Sequence, residues 1–178
     1  MQTYDRVAAA IHWLTALMVI ALIILAFGGD LLEEIFGEFR PIALHKSLGM
    51  TVFVLTVFRL IWRLGHKPPP LPASTPAWQR AAAPAAHAMI YAFLLGMPIL
   101  GYVFGSGGPY PMQYFGIDLP KLAFISKPVA DAAHLAHEIG GYAITALLLT
   151  HISAALWHHF VQRDGLISRM RLGSGSAA

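Results

Sequence analysis

The chain has 178 residues, of which 57% are apolar and only 12% charged, with no cysteine and a formal net charge of +3. Soluble domains carry about 25% charged residues, so this composition excludes an ordinary water-covered surface and describes an integral membrane protein. The missing cysteine excludes disulfides, iron–sulfur clusters, zinc–thiolate sites and covalently attached c-type haem, and no nucleic-acid partner is expected.

Four spans are expected, enough for one domain over residues 1–172. The first lies in the 23 uncharged residues between Arg6 and Asp30. It exceeds the signal-peptide core of about 7 to 15 residues, so it reads as a retained helix. A short acidic connection, Asp30 to Pro41, follows. The second span, Ile42 to Leu64, has Lys46 near one end and Arg59 and Arg63 near the other, where long basic side chains snorkel to the interfaces. A Pro-rich connection, Gly65 to Arg80, leads to the third. There the apolar stretch is broken at Gly105 to Pro109, which predicts a helix from about Pro84 to Phe104, kinked at Pro98, and then a long loop to Pro128. The fourth span lies in the 24 uncharged residues between Glu138 and Arg163. Residues 173–178 read as a disordered tail.

Charge orients this all-α bundle. With both termini on one side, that side receives eight bases against Asp5 and Asp164, while the other receives Arg40, Lys46, Lys121 and Lys127 against seven acids. The positive-inside rule then makes the termini cytoplasmic.

Nine histidines carry the candidate chemistry, because an ionisable group inside a span is costly and is a functional hypothesis by default. His12 and His87 lie toward the cytoplasmic face and His45 toward the outer face. His137 and His151 share one helix at different depths, close to four turns and about 21 Å apart, so both project from one face. His12 can meet His151 at the inner level, and His45 can meet His137 at the outer level. Two such pairs suit two b haems, each taking a neutral imidazole from either side. A single membrane histidine has a plainer explanation, a hydrogen bond to a neighbouring helix, but four of them matched by level do not. His66, His134 and His159 read as solvated or interfacial.

The order Ile11-His12-Trp13-Leu14, His45-Lys46-Ser47-Leu48-Gly49 with Arg59 and Arg63, His87 with Tyr91, Pro98 and Gly101, and His137-Glu138 followed by His151, His158-His159 and Asp164 resembles the bacterial cytochrome b561 family. The resemblance runs from about Asp5 to Arg169. It implies a four-transmembrane-helix bundle in the bacterial inner membrane with two b haems in its interior. His12 and His151 would ligate the inner haem iron, and His45 and His137 the outer. Members similar to this chain act as superoxide oxidases, passing electrons from periplasmic superoxide to ubiquinone, and require no protein partner.

The resemblance also points to His158 as a quinone contact. Where the family pattern can place a serine before Ile-His-Trp, this chain has Ala10, so either another donor, Thr15 or His87, replaces that hydroxyl or quinone binds differently and more weakly. Arg59 and Arg63 are candidate propionate contacts, with flanking interfacial arginines as the plainer explanation. Lys46, Arg40, Lys121 and Lys127 could attract superoxide or simply anchor the interface. Tyr110, Tyr114 and Phe115 could cover the outer haem or form an aromatic belt. Two other functions share parts of the pattern: a quinone-linked cytochrome b anchor of a dehydrogenase or hydrogenase, and a histidine-lined metal carrier. The carrier needs acids in mid-membrane, and no span has one at its centre.

Overall fold

A computed structural model describes residues 2–37, 40–72 and 75–172; the tail expected at 173–178 lies outside them. Its elements are α1 (Arg6–Phe27), α2 (Gly29–Phe36), α3 (Pro41–Gly65), α4 (Ala77–Gly107), a hairpin of β1 (Met112–Tyr114) and β2 (Ile117–Leu119), and α5 (Lys127–Trp157), which continues as a π turn at His158–Gln162. A short 3₁₀ turn, Ile167–Met170, closes the chain. Four of these helices, α1, α3, α4 and α5, are long and apolar enough to cross a membrane.

Local chemistry explains where they start. Asp5 caps α1 by accepting from the Ala8 N–H at 2.9 Å, and the same Oδ1 accepts from Trp62 Nε1 at 3.1 Å, tying the start of α1 to the end of α3. Pro41 opens α3, where its missing N–H costs nothing.

α1 packs on α3 and α4 on α5, and α3 joins the two pairs. Each long helix gives one side chain to a buried central layer of Val19, Val52, Leu94 and Ile144. Large apolar side chains such as Leu17, Val54, Ile61 and Leu149 are instead more than 60% exposed, as suits a surface whose solvent is lipid.

The helix bounds differ from the expected ones at three places. α4 begins at Ala77 rather than Pro84 and runs to Gly107, passing through Pro84 and Pro98. A membrane-spanning helix tolerates proline because neighbouring groups satisfy the freed carbonyl. α5 begins at Lys127, twelve residues before the uncharged run, because charged residues also fit a helix that protrudes beyond the apolar zone. Finally, the connections are structured. Gly29–Phe36 is a short helix with Leu31, Ile35 and Phe36 exposed, and residues 112–119 form the hairpin.

The first and last described segments meet at one end of the bundle. The Tyr4 N–H donates to Arg169 O at 3.0 Å, and Trp13 Nε1 donates to Met170 O at 2.8 Å. Arg169 is only 6% exposed and donates to Gln2 O at 3.0 Å and Pro70 O at 2.7 Å. This guanidinium therefore joins the N-terminus, the Pro-rich connection and the C-terminal turn. Arg169→Ala is expected to cost about 2–4 kcal/mol, since two carbonyls lose a charged donor; a thermal midpoint in detergent equal to that of the parent would contradict this.

Candidate functional site

Histidines meet in pairs at two levels of the bundle interior. Toward the hairpin end, His45 on α3 and His137 on α5 have ring centroids 6.1 Å apart at an interplanar angle of 72°. Toward the end that carries the termini, His12 on α1 and His151 on α5 are 6.5 Å apart at 76°. The central apolar layer includes Ile144, midway along α5 between His137 and His151, and so separates the two levels.

A cavity of about 420 Å³ opens between the four long helices at the hairpin end, within the usual range for cofactor sites. It is lined by His45 and His137 together with Val19, Phe93, Leu94, Gly101 and Met112. A Cβ on Gly101 would stand 3.2 Å from His137 Cε1, so glycine here leaves the imidazole its room.

The spacing tests whether these residues suit a b haem. Two imidazoles bound to one metal through bonds of about 2.0 Å place their ring centroids about 6.3 Å apart, and both pairs lie within a few tenths of that. Carbonyl oxygens only accept, so His45 Nδ1 donates to Leu22 O at 3.1 Å and His137 Nδ1 donates to Met97 O at 3.0 Å. That leaves Nε2 of each ring unprotonated and oriented, the arrangement metal-ligating histidines use. The hairpin-end pair fits a bis-imidazole haem as it stands.

The other pair has the spacing but a different tautomer. A guanidinium only donates, so the Arg59 Nη1 contact at 3.2 Å makes His12 Nδ1 an acceptor and leaves the proton on Nε2. Ligation through His12 Nε2 therefore requires Arg59 to turn away. Arg59 and the exposed Arg63 already lie over the Tyr91 ring, at 5.7 and 6.0 Å.

The remaining candidates separate into groups. His87 stands 5.6 Å from His151, making a third ring at the terminal end. Thr15 is 3% exposed, and its hydroxyl has no hydrogen-bond partner among the described residues. His158 pairs with Asp164 at 2.5 Å. These contacts do not gather His158, His87 and Thr15 around one point. At the hairpin end, Lys46 Nζ reaches Pro111 O at 3.5 Å and Lys121 Nζ reaches Gly108 O at 2.5 Å, whereas Lys127 is engaged by Asp131 at 2.7 Å. Arg40 is exposed just before α3.

The hairpin covers this end. The Phe115 N–H donates to Ser47 Oγ at 2.9 Å, the Tyr114 hydroxyl meets Thr51 Oγ1 at 3.2 Å, and Met112, 2% exposed, closes the cavity wall. His134 is exposed and packs on Phe104, with ring centroids 4.8 Å apart.

A four-span helical bundle with facing interior imidazoles at two depths defines a membrane electron-transfer cytochrome of the b type. The chain matches the prokaryotic cytochrome b561 family over residues 3–173 and belongs to it. It is 32% identical to cytochrome b561 homolog 2 of Escherichia coli over 99% of this chain and 94% of that protein. Homolog 1 of the same organism is 26% identical over 96% of this chain and 97% of its own length. A Yersinia pestis protein named "Probable superoxide oxidase CybB" is 26% identical over 94% of both chains. Family membership implies b-type haem binding and places the chain among multi-pass bacterial membrane proteins.

Proposed function

We propose that this protein is a superoxide:ubiquinone oxidoreductase of the bacterial inner membrane, with its termini in the cytoplasm and its hairpin in the periplasm. The observation that carries this reading is the occurrence of two facing imidazole pairs at two depths, each with one ring supplied by α5. His45 and His137 hold the periplasmic haem, and His12 and His151 the cytoplasmic one. The likeness to the Yersinia pestis protein supports superoxide as the donor. Two superoxide anions each lose one electron and leave as oxygen, while ubiquinone takes up two electrons and two protons.

Bound between the histidine pairs, haem supplies a reversible one-electron iron couple. The residues of the chain orient and insulate it. Held by an imidazole from each side, it would pass electrons rather than bind oxygen, and the apolar layer keeps water out between the levels. Released from His12, Arg59 is free to meet a propionate together with Arg63. Lys46, Lys121 and Arg40 supply the positive charge that superoxide needs, and Lys127 contributes less because Asp131 shares it. His158 hydrogen-bonds the quinone; His87 and the unsatisfied Thr15 hydroxyl are the donors that can stand in for the serine absent at Ala10.

An absorbance spectrum of the purified protein tests this. Superoxide should reduce the haems, and an added ubiquinone analogue should reoxidise them. A colourless preparation, or haems indifferent to superoxide, would refute it. Lys46→Ala is expected to slow reduction by superoxide up to about tenfold and to flatten its salt dependence. Lys127→Ala should do much less, and equal effects would return Lys46 to an anchoring role.

One observation favours the alternative of an anchor subunit for a dehydrogenase or hydrogenase. In the topology expected from the sequence the outer side receives seven acids against four bases, a field that repels superoxide at long range and would suit a basic partner. Under that reading a periplasmic protein copurifies and free superoxide reacts slowly.

A further inference from the structure

The last span does not finish as an α-helix. From His158 to Gln162 it widens into a π turn, Arg163 then adopts a left-handed φ of 51°, and Gly165 follows at 76°. A left-handed conformation at a non-glycine residue is held only where its surroundings insist on it, and π turns gather at functional positions. The reversal brings Asp164 back onto the helix end it has just left. Asp164 Oδ2 accepts from His158 Nδ1 at 2.5 Å, and Oδ1 accepts from the Leu166 N–H at 3.1 Å. The Asp164 N–H reaches His158 O at 3.4 Å. Both side chains are mostly sheltered, at 16% and 23% exposure.

We propose that Asp164 is a positioning residue for quinone protonation: its carboxylate keeps a proton on His158 Nδ1, so that Nε2 is the nitrogen that gives a proton to the reduced quinone and regains it. The proposal rests on the reading of His158 as the quinone contact. In the imidazolium form both nitrogens donate, one to Asp164 and the other to the quinone oxygen. As the quinone takes up electrons, the Nε2–H bond breaks and an O–H bond forms. The imidazole that remains is the Nδ1–H tautomer that the carboxylate already holds, so no ring flip is needed before water on the cytoplasmic side returns the proton. An imidazole oriented by a carboxylate is a general solution to this task. The turn carrying Asp164 is fastened independently through Arg169, so the carboxylate can be altered without releasing the C-terminal segment.

Asp164→Asn keeps the shape but offers only one oxygen for two donors, and its amide can present N–H to Nδ1 and shift the proton to Nε2. Haem-loaded parent, Asp164→Asn, Asp164→Glu and His158→Ala proteins would be compared in three ways: reduction by superoxide, reoxidation of the prereduced protein by a short-chain ubiquinone, and the His158 tautomer from side-chain ¹⁵N shifts in the diamagnetic reduced state. Asp164→Asn should retain parental haem content and parental reduction by superoxide. Its reoxidation at saturating quinone should slow about 10–100-fold with an unchanged half-saturating concentration. Asp164→Glu should recover much of the rate, and His158 should be Nδ1–H in the parent and Nε2–H in Asp164→Asn.

Parental reoxidation in Asp164→Asn while His158→Ala is slow overturns this proposal alone. Parental reoxidation in His158→Ala overturns the quinone reading, and the proposal with it. If Asp164→Asn fails to fold, the parent tautomer decides: Nε2–H at His158 overturns the proposal, and Nδ1–H with an active Asp164→Glu supports it.

Discussion

His137→Ala is expected to leave one haem where the proposed assignment gives the parent two, and to abolish the proposed electron flow from superoxide to quinone. The His137 ring is fixed by Met97 O on one side and by the space at Gly101 on the other, and it faces His45 across the cavity. Alanine would remove one of the two imidazoles that would hold a haem there, and His134, the other imidazole lining the cavity, packs on Phe104. Pyridine haemochrome quantitation reads the stoichiometry directly; two haems per chain in the variant would refute the assignment. His151→Ala should give the same count through loss of the other haem. A sharper comparison concerns its partner. His87 lies nearer to His151 than His12 does, at 5.6 against 6.5 Å. Under the assignment made here, His12→Ala loses a haem and His87→Ala keeps both. The reverse result would make His87 the ligand.

The second large effect is expected at the middle of the bundle. Val52 is 1% exposed and packs with Val19, Leu94 and Ile144. Val52→Asp would put an unpaired carboxylate at mid-membrane, costing about 2.5–3.5 kcal/mol on insertion scales. The variant should accumulate poorly and melt well below the parent, while Val52→Ala, which only opens space, should retain both haems with a smaller loss. Parental melting and haem content in Val52→Asp would show that water or a cation reaches this layer.

The long helices and the two histidine levels were legible before the structure because both depend on regular spacing. A charge-free run bounded by Arg6 and Asp30 marks α1 almost to the residue. The interval between His137 and His151 is nearly a whole number of turns, so the face they share follows from helix geometry alone. What escaped depends on other forces. α5 begins at Lys127 through an extension whose Lys127–Asp131 pair belongs to the water side of the interface, where hydropathy carries no signal. The hairpin turns at Phe115 and Gly116, both with positive φ, and phenylalanine is not a residue that announces such a turn. The Gly105–Pro109 break therefore predicts only the start of a plain loop. Asp164 and His158 are six residues apart, a separation that no regular helix brings together. Their contact exists only because the π turn and the left-handed Arg163 reverse the chain. The engagement of Lys127 by Asp131 and the tautomer of His12 likewise depend on which partner lies within reach.

Each facing pair takes its second imidazole from α5, and Arg169 beyond it fastens Gln2 near the opposite terminus. If these pairs hold the two proposed haems, neither cradle can be complete while the ribosome is still making the earlier helices. On that assignment prosthetic-group loading would be a late event of biogenesis, one that waits for the final segment to leave the translocon, and a truncation before that segment would forfeit both iron centres at once.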